Sequence, residues 1–238
     1  MTKLFSKLAR VYHEMYQSIF DYKKQFTHYD KLLHKYKCRK ILEVGCGSGN
    51  LAKLFLKAKY DYTGIDISPQ MLAIAKEVEP RANFFKVDMR NMKLRNQFDA
   101  ILVTGRSFTF MTRNEDVMAA LKSIRANLKQ NGIFIVDNFN ASIIFKELNK
   151  NVVQRAKYNG REYKRIIGKT VNLKTGWTWN ANSTYYIREN GKAVIIKEKS
   201  LLRAFTMDEI ELFLATSKFR VLSNSKQDFA ILTVARKC

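Results

Sequence analysis

Proline is almost missing from this chain. Pro69 and Pro80 are the only two among 238 residues. That excludes a proline-rich linker or a polyproline recognition segment. Cysteine is nearly as scarce: Cys38, Cys46 and Cys238 follow no metal-ligand or disulfide spacing, which suits a reducing compartment. The three histidines, His13, His28 and His34, all fall before residue 35, so no histidine is available as a general base later in the chain. No apolar run reaches the ~18–20 residues that span a bilayer. The N-terminal MTKLFSKLARVYHEMYQ interleaves basic and apolar residues instead of presenting the continuous apolar stretch of a secretory signal. These absences predict a cytoplasmic protein that does not enter membranes. Acidic residues are also few, 21 against 43 basic ones, for a net charge of +22. That excess has two readings: a nucleic-acid partner, or a composition rich in lysine, asparagine and isoleucine. The cations are scattered, richest at 31–40 and 155–174, with no arginine-rich block. Composition is the favoured reading.

What is present is a chain of alternating patterns. With 46% hydrophobic residues it can bury a sizeable core. Residues 3–37 read as two helices, Leu4, Leu8, Val11, Met15 and Ile19 sharing one face, with a break near Phe20-Asp21. Strands are expected at 39–44, 60–65, 83–87, 98–104 and 133–137. Helices are expected at 50–59, 71–77 and 114–128, the last closed by Asn131-Gly132. Ser68-Pro69 is a helix start, because serine caps and proline at the first helical position loses no needed N–H. Strand–helix alternation predicts an α/β parallel sheet covered on both faces. After Ile144 the pattern turns antiparallel, with strands at 161–169, 177–188 and 192–204 and Glu189-Asn190-Gly191 as a hairpin signal. A helix at 206–216 carries a Thr206/Glu209 capping box. Two strands, 219–224 and 229–236, close the chain as an edge hairpin.

The stretch Ile41-Leu42-Glu43-Val44-Gly45-Cys46-Gly47-Ser48-Gly49-Asn50 organises the rest. An apolar strand ends in three alternate glycines and runs straight into a helix. Such a turn lets a ligand approach the main chain and delivers it to a helix N-terminus. The spacing is G-x-G-x-G. It is not the G-x-G-x-x-G of dinucleotide sites, and no Lys-Ser/Thr follows as a phosphate loop requires. Cys46 is read as a small residue tolerated in the turn, not as a nucleophile. Downstream, Asp66 ends the second strand, Asp88-Met89 the third, and an apolar strand stops at Thr104. Taken singly, Asp66 could be a turn residue and Asp88 a solubilising one. Together, at successive strand ends, they mark a ligand site.

This order of motifs resembles the class I methyltransferases that use S-adenosylmethionine. The resemblance implies a Rossmann-like, mostly parallel seven-stranded sheet with an antiparallel last strand. It divides the chain into a helical lid (1–38), the core (39–145 and 205–238) and an antiparallel β insertion (146–204). A closer resemblance is to enzymes that N-methylate amino sugars and glycine-like amines. It is carried by the Tyr-rich segment Val11-Tyr12-His13-Glu14-Met15-Tyr16-Gln17 with Asp21-Tyr22, by Asp88-Met89-Arg90, and by Gly105-Arg106-Ser107-Phe108-Thr109-Phe110.

By that resemblance, Asp66 holds the ribose hydroxyls and Ile67 packs on adenine. Asp88 receives the adenine amino group beside Met89. Gly45, Cys46, Gly47 and Gly49 make room for the donor, Glu43 orients the turn, and the Thr104 carbonyl faces the methionine ammonium. Tyr12, Tyr16 and Tyr22 are lid residues or, alternatively, core. Arg106, Ser107, Asn138, Trp177 and Trp179 are expected on the acceptor side, with Tyr185 near the tryptophans. No residue is singled out as catalytic beyond the weak candidates Asn138, Asn140 and His13. An amine needs no strong base once positioned, so a metal-free, proximity-driven transfer to a small polar amine is the leading expectation. The D/N-P-P-Y/F/W motif of enzymes that methylate nucleobase amines is absent. Two other outcomes stay open: methylation of tRNA or rRNA, suggested by the charge, and a non-catalytic cofactor-binding protein. Monomer and homodimer through the insertion are both compatible with the sequence.

Overall fold

The computed structural model describes residues 5–94, 97–189 and 191–238. Leu4 and Asn190, which figured in the helix and hairpin readings, lie outside them.

Two helices, α1 (Ala9–Ile19) and α2 (Tyr22–Lys35), precede an α/β alternation. The alternation runs β1 (Lys40–Val44), α3 (Ala52–Lys57), β2 (Asp61–Asp66), α4 (Pro69–Val78), β3 (Asn83–Lys86), β4 (Phe98–Val103), α5 (Asn114–Asn127) and β5 (Leu128–Phe139). After α6 (Ala141–Lys146) come four strands, β6 (Val152–Tyr158), β7 (Arg161–Val171), β8 (Trp177–Glu189) and β9 (Lys192–Ala204). The chain ends with α7 (Met207–Thr216), β10 (Phe219–Gln227) and β11 (Ala230–Lys237). Seven strands form one sheet in the order β10-β11-β5-β4-β1-β2-β3, and β6-β7-β8-β9 form a second, antiparallel one. In the first sheet β1, β2, β3, β4 and β5 are parallel, and β11 runs antiparallel to β5. The mostly parallel, seven-stranded fold with an antiparallel last strand is therefore present.

Burial follows from that topology. Ile41, Leu42 and Val44 of β1 and Ile101, Leu102 and Val103 of β4 are sealed from solvent, because helices cover both faces. One face packs on α5 through Val117, Leu121 and Ile124, the other on α2 and α3 through Leu33 and Phe55. The caps read from sequence are in place: Ser68 accepts the Met71 N–H and Thr206 the Glu209 N–H.

Three expectations need correction. The insertion has four strands, not three; Val152–Tyr158 lacks clean alternation because one of its faces is solvated and cationic. Helix α5 stops at Asn127, and Asn131-Gly132 does not close it. Asn131 takes a left-handed φ of 61° inside β5, where the pairing with β4 jumps from Phe98↔Leu128 to Ala100↔Ile133. Helix α3 is shorter than expected, and β10 longer. The two N-terminal helices have different packing partners. Leu8 and Met15 of α1 pack on Ala156, Tyr163 and Tyr185 of the small sheet, whereas Tyr29 and Leu33 of α2 join the large sheet's core.

Candidate active site

The site lies where the strands of the large sheet end and the small sheet begins. Gly45 N–H and Cys46 N–H both donate to the Ile65 carbonyl, which ties the glycine turn to the end of β2. Gly45 holds φ at 72°, and a Cβ there would meet the Ser107 hydroxyl at 2.3 Å, so only glycine fits. Asp66 is clamped at the top of β2. Its Oδ2 accepts the Gly47 N–H at 3.0 Å and its Oδ1 the Ser68 N–H at 2.8 Å. The Ile67 N–H also supports this carboxylate, which lines the cavity.

Glu43 lies beneath the turn, 2% exposed, and accepts from the Tyr62 hydroxyl and the Thr104 hydroxyl, each at 2.6 Å. Burial pushes its carboxyl up to about 7, against the pull of those two hydrogen bonds. Nearby Asp66 and Asp137 are also held above the usual carboxylate range by burial. Because native Glu43 keeps its proton to a higher pH than the unfolded chain does, stability falls as pH rises from about 4.5 to 7 and is level above that. The loss is on the order of 3 kcal/mol at ~1.4 kcal/mol per unit. Denaturant titrations across this window should show that slope in the wild type and a flattened one in Glu43→Gln. A cationic ligand favours the ionised carboxylate, so its affinity should rise with pH through the same window, again only in the wild type.

Asp88 caps the turn after β3, but both of its oxygens are engaged by the Arg90 guanidinium, which holds the carboxyl below its usual range. Arg90 also reaches Asp116 on α5 at 2.9 Å. The Thr104 carbonyl is likewise occupied, by the N–H and hydroxyl of Ser107 at 3.1 and 2.9 Å. Ser107 therefore turns back toward the strand ends. Arg106 adopts a left-handed φ of 60° while its N–H donates to Asp137 at 2.8 Å. Its guanidinium sits among the rings of Phe20, Phe139 and Phe229, 4.6 to 5.5 Å from their centroids.

These groups open into a cavity of about 810 Å³. Its walls include Tyr12, Tyr16 and Tyr22, with Tyr12 stacked on Tyr16 at 3.9 Å. Glu43, Gly45, Cys46, Gly47, Asp66 and Ile67 line the floor of one end, with Asp88, Met89 and Thr104 beside them. Gly49 packs behind the turn on Ala75 and Phe84. Arg106, Ser107 and Trp179 also face the cavity.

Other expected residues do not reach it. His13 is buried in α1 beside Gln17 and Tyr158, and burial with Arg10 lowers its pKa. Asn140 caps α6 by accepting the Ser142 N–H. Asn138 is fully buried on β5, outside the lining. Trp177, 41% exposed, packs on Phe145 at the far end of β8, and Tyr185 lies under Arg165.

Sequence reasoning missed Arg165, Lys169 and Gln154, which line the cavity from the small sheet. Arg165 is 6% exposed and donates to the Ser183 hydroxyl at 2.9 Å and the Tyr16 hydroxyl at 3.1 Å. The Gln154 carbonyl oxygen and Trp179 indole N–H are buried without a partner. The available signal was parity: Tyr163, Arg165, Ile167 and Lys169 share one face of β7, and two cations on an otherwise apolar face are anomalous.

Residues 41–132 match the family model of a methyltransferase domain. An uncharacterized methyltransferase of Oceanobacillus iheyensis is 32% identical over 162 residues, 63% of this chain and 74% of that one. The chain belongs to the class I S-adenosylmethionine-dependent methyltransferases. This methyltransferase is also similar to the dTDP-3-amino-3,4,6-trideoxy-alpha-D-glucopyranose N,N-dimethyltransferase of Streptomyces venezuelae, with 25% identity over 76% of this chain and 75% of the relative. Its fold matches the crystal structure of DesVI from Streptomyces venezuelae at a TM-score of 0.86 and 21% identity, covering 97% and 98% of the two chains. Other curated relatives, glycine/sarcosine N-methyltransferase among them, are matched over only about two fifths of their length. No described helix is long and apolar enough to cross a membrane.

Proposed function

We propose that this methyltransferase carries a methyl group from S-adenosylmethionine to the amine of a small acceptor that also bears an anionic group. The polarity of the cavity carries the reading. In a chain with net charge +22, the acids Glu43 and Asp66 line the cavity at the strand ends of the large sheet, with Asp88 beside them paired to Arg90, and Arg165 and Lys169 of β7 line it from the small sheet, Lys169 next to Glu147. The acidic end suits a donor carrying both an ammonium and a sulfonium. The cofactor fits the residues present: Asp66 offers two preset acceptors for a vicinal diol, and the missing Cβ of Gly45 leaves the turn accessible. Asp66 would hold the ribose, Ile67 and Met89 the adenine, and Glu43 would counter the amino-acid end through the turn. When bound, S-adenosylmethionine supplies an electrophilic methyl group on a good leaving group.

The chain's own contribution is alignment and exclusion of water. Tyr12, Tyr16 and Phe20 form a continuous stack over the cavity and shield it. Arg165 and Lys169 would anchor the acceptor's anion, and an amine so placed attacks with its own lone pair. No histidine lines the cavity among the described residues. The similarity to the amino-sugar dimethyltransferase supports this acceptor class. The test is transfer of labelled methyl to a panel of amino sugars, their nucleotide diphosphate conjugates, glycine-type amines, matched alcohols and RNA. Turnover confined to anionic amines is expected. Transfer to RNA or alcohols, or none at all despite tight cofactor binding, would overturn the reading.

A further inference from the structure

Arg106 lines the cavity but takes no part in anchoring the acceptor's anion. It stands after β4 in the loop that packs on the glycine turn. Two residues before it, the Thr104 hydroxyl donates to Glu43. One residue after it, the Ser107 hydroxyl lies 3.3 Å from the Gly45 carbonyl. The guanidinium is held by rings, not by acids. Phe20 just after α1, Phe139 at the end of β5 and Phe229 between β10 and β11 all line the same cavity, with centroids 4.6 to 5.5 Å away. Among the described residues no guanidinium nitrogen of Arg106 has a hydrogen-bond or ion-pair partner, and its Nε is buried. Asp137, whose carboxyl the guanidinium's charge pulls down against burial, accepts the Arg106 backbone N–H instead. Ring contacts stabilise the charge and leave the planar fork of N–H donors unused. That fork takes a carboxylate in two parallel hydrogen bonds.

We propose that Arg106 binds the α-carboxylate of S-adenosylmethionine, and so belongs to the donor and not to the acceptor. The assignment rests on S-adenosylmethionine being the methyl donor. Charge complementarity selects the group. The donor brings a sulfonium and an ammonium, which suit Glu43 and Asp66, and one carboxylate, which those acids repel. Arg90 is engaged by Asp88 and Asp116, and Arg165, Lys169 and Lys199 belong to the small sheet. Arg106 is the cation on the loop beside the glycine turn. Three rings from three elements fix its fork in advance, so little side-chain freedom is lost on binding.

Calorimetry on the whole chain compares S-adenosylhomocysteine with its decarboxylated analogue, which keeps the adenosine, the thioether and the ammonium. The wild type should bind the first roughly 10- to 150-fold more tightly, the value of a hydrogen bond to a charged group. Arg106→Met keeps bulk in the cage without the charge. It should abolish that preference by weakening S-adenosylhomocysteine alone, with the analogue's affinity level. Arg106→Lys should recover part of the preference, since an ammonium makes a point contact where the fork makes two. Phe229, 41% exposed, closes the outer side of the cage. Phe229→Ala should cost S-adenosylhomocysteine roughly 2- to 5-fold and the analogue nothing. An equal loss for both ligands in Arg106→Met would make the arginine a prop for its loop and overturn the proposal. So would an undiminished preference for the carboxylate in that variant, with the loss appearing in the acceptor's KM instead. A wild type that binds both ligands alike overturns the proposal alone, whereas one that binds neither overturns the cofactor reading and the proposal with it.

Discussion

Replacing Asp66 by alanine is expected to weaken S-adenosylhomocysteine binding by two to three orders of magnitude. The carboxylate is the one group at the acidic end that is both fixed and free to accept. Its oxygens are set by the Gly47 and Ser68 N–H groups, and the carboxylate lines the cavity. A hydrogen bond to a charged group contributes about 1.5–3 kcal/mol, and two ribose hydroxyls use two of them. The sum of roughly 3–6 kcal/mol corresponds to at least about two orders of magnitude. Alanine also leaves the Gly47 N–H without its acceptor, so part of the loss comes from a looser turn. Asp66→Asn separates the two effects, because its amide oxygen still accepts one N–H while the second hydroxyl loses its acceptor. Calorimetry should rank the wild type above Asn and Asn above Ala. Equal affinities in all three would remove the ribose from Asp66. For a cofactor without ribose hydroxyls the three affinities should draw together, leaving only the loss that comes from the looser turn.

The wall of the cavity formed by the glycine turn and Asp66 could be read ahead of the structure because its signals are local. Gly45 and Gly47 take positive φ within a few residues of the strand they terminate, and Asp66 stands at the end of the next strand. Each signal rests on backbone geometry that a short window of sequence dictates. The acceptor end is different. Arg165 matters because β7 crosses the cavity opposite α1, and its partner Tyr16 lies 149 residues away. The resemblance pointed to Asn138 and Trp177 by position along the chain, yet strand parity and distance from the strand end bury one and expose the other. Arg106 lay between these extremes. Its place after β4 was legible, whereas the aromatic cage joins Phe20, Phe139 and Phe229 from three separate elements. Asp88 was placed correctly at its strand end, but its pairing with Arg90 two residues on changes what it offers a ligand.

Arg165→Ala should lower kcat/KM for an anionic amine acceptor by roughly 30- to several thousand-fold, the ~2–5 kcal/mol expected when one partner of a buried charge pair is removed. The guanidinium is buried and, among the described residues, its hydrogen bonds run to the Ser183 and Tyr16 hydroxyls, with the buried Glu198 across from Ser183 on β9. Such a charge is costly to bury unless something pairs with it. An acceptor's phosphate or carboxylate would do so. The charge therefore costs stability in the empty protein and contributes affinity in the complex, and the two effects of one substitution should have opposite signs. Arg165→Met, which keeps the side-chain volume without the charge, should raise the melting temperature or leave it level while acceptor turnover collapses. Arg165→Lys should recover part of the turnover but not all, since an ammonium cannot bridge Ser183, Tyr16 and an anion in the planar fork of arginine. The decisive comparison is between an anionic amine and its neutral analogue. The wild type should prefer the anionic one strongly, and Arg165→Met should treat the two alike, with cofactor affinity unchanged because Arg165 lies at the far end of the cavity from Asp66. A fall in turnover of the same size for both acceptors would assign Arg165 to holding Tyr16 in place instead. Tyr16→Phe, which removes only the hydroxyl that Arg165 contacts, would then reproduce the loss.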